Sequence, residues 1–246
     1  MKWILYIGIL FPLLGCQQDN ASKPEADIDQ PPTTVNYEPI ADLQQEVKKE
    51  IVLDVPLIKQ NPELKYGCEV TSTTMMLQYA GIEVDKLELA EKVKKDSDPL
   101  VETNNDIVRW GNPAKGFVGD MTGKQKGYAV FDKPIEDLVN EYMEGKARNL
   151  TGESFQTILN HVGKGFPVVI WTTGDYKLPN RWESWDHEGE TIKTPLDLHV
   201  VVLVGYNDQY VYLNDPLSGQ KQAKVNKNSF IQSWEALEKR AVSYEK

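Results

Sequence analysis

Cysteine is almost missing from this chain, which holds only Cys16 and Cys68. No disulfide framework can be built from them, so the fold must rest on a hydrophobic core. Histidine is nearly as scarce, with His161, His187 and His199 alone. They form no Cys/His cluster at metal-ligand spacing, and the reading is of a protein with no metal and no cofactor. No glycine-rich phosphate loop and no internal repeat occurs. Cationic excess is also absent: the net charge of −10 argues against nucleic acid as a partner and against docking on an anionic membrane surface. One uncharged apolar run stands out, the thirteen residues Trp3 to Gly15. It is short of the ~20 residues that a spanning helix needs.

That run fits the h-region of a signal peptide, with Lys2 as its positive start. It ends in Leu13-Leu14-Gly15-Cys16, which resembles the lipobox of bacterial lipoproteins. The resemblance implies cleavage after residue 15, acylation of Cys16 and a lipid anchor on the extracytoplasmic face of the cell membrane, although Leu14 is a less usual residue in such a box. From residue 16 to 50 the chain is rich in Gln, Asp, Ser, Pro and Glu and poor in large apolar residues. It reads as a flexible tether, with a short helix expected at 40–51. Residues 51–246 are enough for one domain with a sizeable core. With Cys16 anchored, Cys68 is a lone thiol in an exported domain, a reactive candidate rather than a disulfide partner.

Along the domain, 53–57 reads as a short strand. The stretch 68–80 reads as a helix stopped by Gly81, almost free of charge after Glu69 and so expected to be buried nearly all round. A second helix is expected at 84–95 with Leu87, Ala90 and Val93 inward. Periodicity then fails over 96–133, where a functional cleft wall and a self-packed loop are both compatible with exposed-looking aromatics. Helices follow at 135–144 and 154–163, then a buried strand at 167–172. The stretch 175–195, with Trp182, Trp185 and His187, reads as a hairpin or cleft-lining loop. His199 opens a strand running to Tyr206, Asn207-Asp208 makes the turn, and 210–213 pairs back before Asn214-Asp215-Pro216. A helix at 227–239 and a strand at 241–244 close the chain.

Four of these residues carry a chemistry together. A thiol becomes a nucleophile when its pKa falls below about 8.5, which a helix N-terminus and an imidazole both promote. Cys68 starts a helix, so its own N–H can also face a developing oxyanion, and the Gln60 amide can supply a second donor. His199 can take the proton. Asp215, leaving the paired strand of the same hairpin, can orient the imidazole. Singly each is weak: an Asp before Pro is first a turn residue, and a histidine at a strand start is more often structural. Their order and placement carry the weight. His161, within a helix, and His187, in acidic surroundings and expected to be solvated or substrate-facing, are weaker bases.

The segments Asp54–Gln60, Tyr66–Ser72, Gly116–Asp120, His199–Asn207 and Val211–Pro216 together resemble the C39-like peptidase domain of the papain-like cysteine peptidase superfamily. The resemblance spans nearly all of 51–246. It implies an α+β papain-like fold, with the nucleophile helix of an N-terminal helical part packed on a C-terminal antiparallel sheet. It also gives Cys68, His199, Asp215 and Gln60 the nucleophile, base, orienting and oxyanion roles. The namesake peptidases process double-glycine leader peptides and are joined to transporters; no transporter segment occurs here, so that substrate does not carry over. The expectation is a monomeric, membrane-anchored, extracytoplasmic cysteine peptidase or amidase acting on a peptide or protein. A papain-like acyltransferase and a catalytically silent cell-envelope binding lipoprotein stay open beside it.

Overall fold

The computed structural model describes residues 50–246. The leader, Cys16 and nearly all of the tether lie outside them. The chain enters as β1 (Glu50–Val52), where the sequence suggests the end of a helix, and the strand expected at 53–57 starts and ends earlier. Pro56 supplies no N–H to a ladder, and pairing reaches only as far as Leu53 N–H to the Val204 carbonyl at 2.7 Å.

Helix α1 (Cys68–Tyr79) follows, with ten of its twelve residues buried. Gly81 ends it at φ +89°, a conformation glycine takes without steric cost. Helix α2 is shorter than expected, Lys86–Lys92. Asp85 caps it through Oδ1, accepting from the Leu87 and Glu88 amides at 2.7 and 3.0 Å. This late start turns Leu87 outward, 49% exposed, rather than into the core.

The aperiodic stretch is built of short strands: β2 (Lys95–Asp96), β3 (Val101–Thr103), β4 (Asp106–Arg109) and β5 (Phe117–Val118). Then come α3 (Asp132–Tyr142), β6 (Ala147–Asn149), α4 (Phe155–Gly163) and β7 (Val168–Thr173). The hairpin β8 (Trp182–His187) and β9 (Glu190–Pro195) occupies the tryptophan-bearing stretch. Last are β10 (Leu198–Asn207), β11 (Tyr210–Asp215), β12 (Gln220–Asn226), α5 (Lys227–Ala236) and β13 (Ala241–Tyr244).

The main sheet runs β12-β11-β10-β7-β13-β6, with β1 also paired to β10, and its pairs are antiparallel. Every residue of β7 is buried, because the sheet is covered on both faces. Alternation sends Val169 and Trp171 into the cluster with Val70, Met76 and Leu77 of α1 and Leu138 of α3. It sends Val168 and Ile170 to the other side, with Ile158 and Val162 of α4 and Phe230 and Trp234 of α5. Ser72 of α1 donates to the Val200 carbonyl at 3.1 Å, fixing the helix against β10. A smaller sheet, β3-β4-β8-β9, stands beside this body. Trp110, Val118, Trp185 and Ile192 form its core.

Candidate active site

Cys68 is the first residue of α1, and Gly67 is its N-cap, with no side chain bonding to the first turn. The leading N–H groups of the helix are therefore not consumed by a cap. Gln60 is 2% exposed. Its Nε2 donates to the Lys65 carbonyl at 2.8 Å, which holds the amide while leaving its second hydrogen for another acceptor. Its backbone N–H donates to the Pro216 carbonyl at 2.9 Å, so the loop after β11 and the approach to α1 are one unit.

His199 and Asp215 meet across β10 and β11, with His199 Nε2 2.8 Å from Asp215 Oδ1. The tight turn alone does not bring this about. Near it, Tyr206 pairs with Val211, and an unbroken ladder would set Asp215 opposite Val202, on the face away from His199. An irregularity between Leu203 and Gly205 shifts the pairing to Leu203–Leu213 and Val202–Asn214. Continued to Asp215, that register returns it to the face His199 shares, because one residue of slip exchanges the faces of a strand. Gly205 sits at the bulge for a reason: a Cβ there would lie 2.2 Å from the Ile51 carbonyl oxygen of β1.

Asp215 also accepts from Tyr176 Oη at 2.9 Å, Ser218 Oγ at 2.6 Å and the Leu217 amide at 2.8 Å. Burial favours its neutral form, but the hydrogen bond and charge of His199, with Ser218 and the Leu217 amide, outweigh it and hold the carboxyl well below the usual carboxylate range.

A cleft of about 470 Å³ opens at this end of the sheet, and Gln60, Cys68 and His199 all line it. Its far wall is aromatic. Trp110 and Trp185 lie 5.9 Å apart between ring centroids, and Tyr128 meets Trp185 edge-on at 5.5 Å. Tyr128 Oη is tied to Thr194 Oγ1 at 2.6 Å and to the Pro195 carbonyl at 2.7 Å, and Trp185 Nε1 to the Gly111 carbonyl at 2.9 Å. The polar tips are thus satisfied and the ring faces fixed. Glu102 and Glu183 also line the cleft.

The 96–133 stretch is therefore both of the things its sequence allows. Trp110 and Phe117 are buried rather than exposed, at 4% and 0%, while Glu102, Trp110, Gly127 and Tyr128 shape the cleft. His187 is not solvent- or substrate-facing; it is 3% exposed and lies 3.1 Å from Asp96 Oδ2. His161 bonds to Ser243 Oγ at 2.9 Å and stacks on Phe166. Both hold structure.

The thiol departs from expectation. Cys68 is 6% exposed and its pKa is pushed well up, first by burial and then by the charge and hydrogen bond of Glu69, whose Oε2 accepts from Sγ at 3.3 Å. The Val200 and Cys68 amides pull the other way without prevailing. In the sequence Glu69 stands only as the last charge before the uncharged remainder of α1. Its position directly after the cysteine was the available signal, and its complete burial was not.

The Peptidase_C39 like family matches residues 52–242 of this chain. The uncharacterized protein YvpB of Bacillus subtilis (strain 168) is 38% identical over 196 residues, 79% of this chain and 76% of YvpB. A crystal structure of a candidate C39-like peptidase from Bacillus anthracis is 41% identical, with a TM-score of 0.73 over 80% of this chain and 98% of that one. The α+β arrangement of a cysteine-bearing helix on an antiparallel sheet is the one the papain-like resemblance implies. On the extent of that match, from before Gln60 to beyond Asp215, the chain belongs to the Peptidase_C39 like family.

Proposed function

We propose that this protein is a cysteine peptidase or amidase of the cell envelope, with Cys68 as nucleophile, His199 as base, Asp215 as the group that orients the base, and Gln60 and the Cys68 amide as oxyanion donors. The observation that carries this reading is the 2.8 Å bond between His199 Nε2 and Asp215 Oδ1 at the head of a cleft that Cys68 also lines. With Nε2 held, Nδ1 is the ring nitrogen left to exchange a proton with the thiol. Attack of the thiolate on a carbonyl carbon would make a tetrahedral oxyanion facing the start of α1 and the Gln60 amide. Its collapse would give a thioester and an amine that leaves with the proton from His199, and water activated by the same imidazole would then release the acid.

The rate of Cys68 alkylation by iodoacetamide against pH tests this. In the wild type, an apparent pKa below about 8.5 that moves upward in His199→Ala is the expected result. A slow thiol indifferent to His199 sinks the reading. One observation favours that second outcome, a catalytically silent binding cleft: the resting thiol is buried and bonded to a carboxylate instead of to the imidazole.

Membrane attachment is the other part of the proposal, supported by the leader and Leu13–Cys16. Radiolabelled palmitate fed to cells should enter the wild-type protein and be lost in Cys16→Ser. Equal labelling of both would remove the anchor from the reading.

A further inference from the structure

Glu69 is fully buried, at 0% exposure, and nothing in the chemistry above uses it. Its Oε1 accepts from the Val130 amide at 2.9 Å, which directs Oε2 to the Cys68 sulfur at 3.3 Å. The 127–131 segment that supplies this amide also supplies Gly127 and Tyr128 to the cleft. The ionisable groups near Glu69 sit on different elements. Cys68 is on its own helix, Tyr128 is on the segment packed against it, and His199 lies at the cleft end of β10. Arg240 stacks on the Phe131 ring further off. Among the described residues no cation pairs with the carboxylate. A thiolate and a carboxylate in contact, both out of water, repel strongly, so the two sites cannot both be charged without a large penalty.

We propose that Glu69 is a positioning residue for the Cys68 sulfur: its carboxylate takes the thiol hydrogen bond in the resting protein, and as the neutral acid it donates to the thiolate when the site is active. The inference rests on Cys68 being the nucleophile. On activation the thiol proton goes to His199, and Glu69 takes one proton from solvent, so the site gains one proton overall. A tie to Val130 alone would need only an amide in this position; the acid adds a dependence on pH. Burial, partly opposed by the Val130 amide, brings the Glu69 pKa up to about 7, so the exchange falls within the range where an envelope protein works.

The test is the pH profile of iodoacetamide alkylation for wild type, Glu69→Gln and His199→Ala. The glutamine keeps the Val130 bond and can donate to sulfur at every pH. Its profile is expected to be a single step at lower pH than wild type, and its rate at pH 8 higher on the order of tenfold, because one pH unit above the Glu69 pKa only about a tenth of the wild type keeps the neutral acid. The wild type should show two steps, the lower near pH 7. A Glu69→Gln profile that superimposes on wild type overturns the proposal. His199→Ala tests the nucleophile reading separately, since indifference to that change leaves the Glu69 comparison intact. If Glu69→Gln does not fold, proton release from the unmodified protein decides. Alkylation deprives Glu69 of its donor, so at pH 7 fewer than one proton per thiol should appear in solution. A full proton overturns the proposal.

Discussion

Asp215→Ala is expected to lower the rate of acylation by p-nitrophenyl acetate by roughly 10⁴-fold, the loss that goes with removing the orienting acid of a triad. The carboxylate does more than neutralise charge. In the proposed mechanism, accepting from His199 Nε2 at 2.8 Å would fix the tautomer that leaves Nδ1 for the thiol. Without it the ring can turn, and the amides and hydroxyls that converge on Asp215 lose their acceptor. Removing one member of a buried hydrogen-bonded pair costs about 3–5 kcal/mol, so thermal unfolding should also come well below wild type. The pH dependence gives a sharper signature. Because the folded-state pKa of Asp215 lies below the unfolded value of about 3.9, its contribution is present above that value and is lost as pH falls through the folded one. Wild type should therefore lose this stability on acidification below about pH 4, and the alanine variant should lack that component. An acylation rate within a factor of a few of wild type would rule out Asp215 as the orienting group.

Gly127→Ala carries the second large effect, and it replaces none of the proposed reacting groups. A Cβ at Gly127 would lie 2.3 Å from the Asp120 carbonyl oxygen and 2.7 Å from Tyr66 Cδ2. Backbone cannot give way cheaply, so either the 126–128 segment moves or Tyr66 does. Tyr66 is two residues from Cys68, and its N–H is bonded to the Met121 carbonyl at 3.0 Å. A shift near 1 Å at a reacting centre costs on the order of 10²-fold in rate, and the overpacking costs about 1–3 kcal/mol. Acylation kinetics together with a melting curve check both. Wild-type kinetics in a folded Gly127→Ala protein would show that this wall does not set the position of Cys68.

Much of the site was legible because its signals are local. Gly81 stops a helix, and an uncharged run buries one. Asn207 ends β10 with its Oδ1 bracing a hairpin turn at Asp208-Gln209, one residue later than the sequence suggests. Cys68, His199 and Asp215 could therefore be placed on their elements from the sequence. The residues missed depend on contacts that sequence order hides. The bulge that sets the face of Asp215 has one local sign, Gly205 at the end of an apolar run rich in valine. The reason for that glycine, the approach of β1, lies about 150 residues away in the chain. Strands β3 and β4 went unread because their side chains are almost all exposed and so show no alternation. Their turn was nonetheless written in Asn104-Asn105, both at positive φ, a pair suited to a two-residue hairpin. Glu69 contradicted the expectation that charge faces water, and only Val130 and Cys68 explain why it stays inside.

The pairing of β1 with β10 has a consequence for how the domain can be held. Glu50 lies beside Asn207, at the opposite end of β10 from His199. Eight residues of strand separate the two positions, roughly 27 Å at strand rise. Whatever grips the protein at Glu50, whether a bead, a fusion partner or a lipid surface, grips it at the pole remote from the cleft. Immobilisation through that side leaves the mouth unobstructed, and bulky targets can approach it from the free hemisphere.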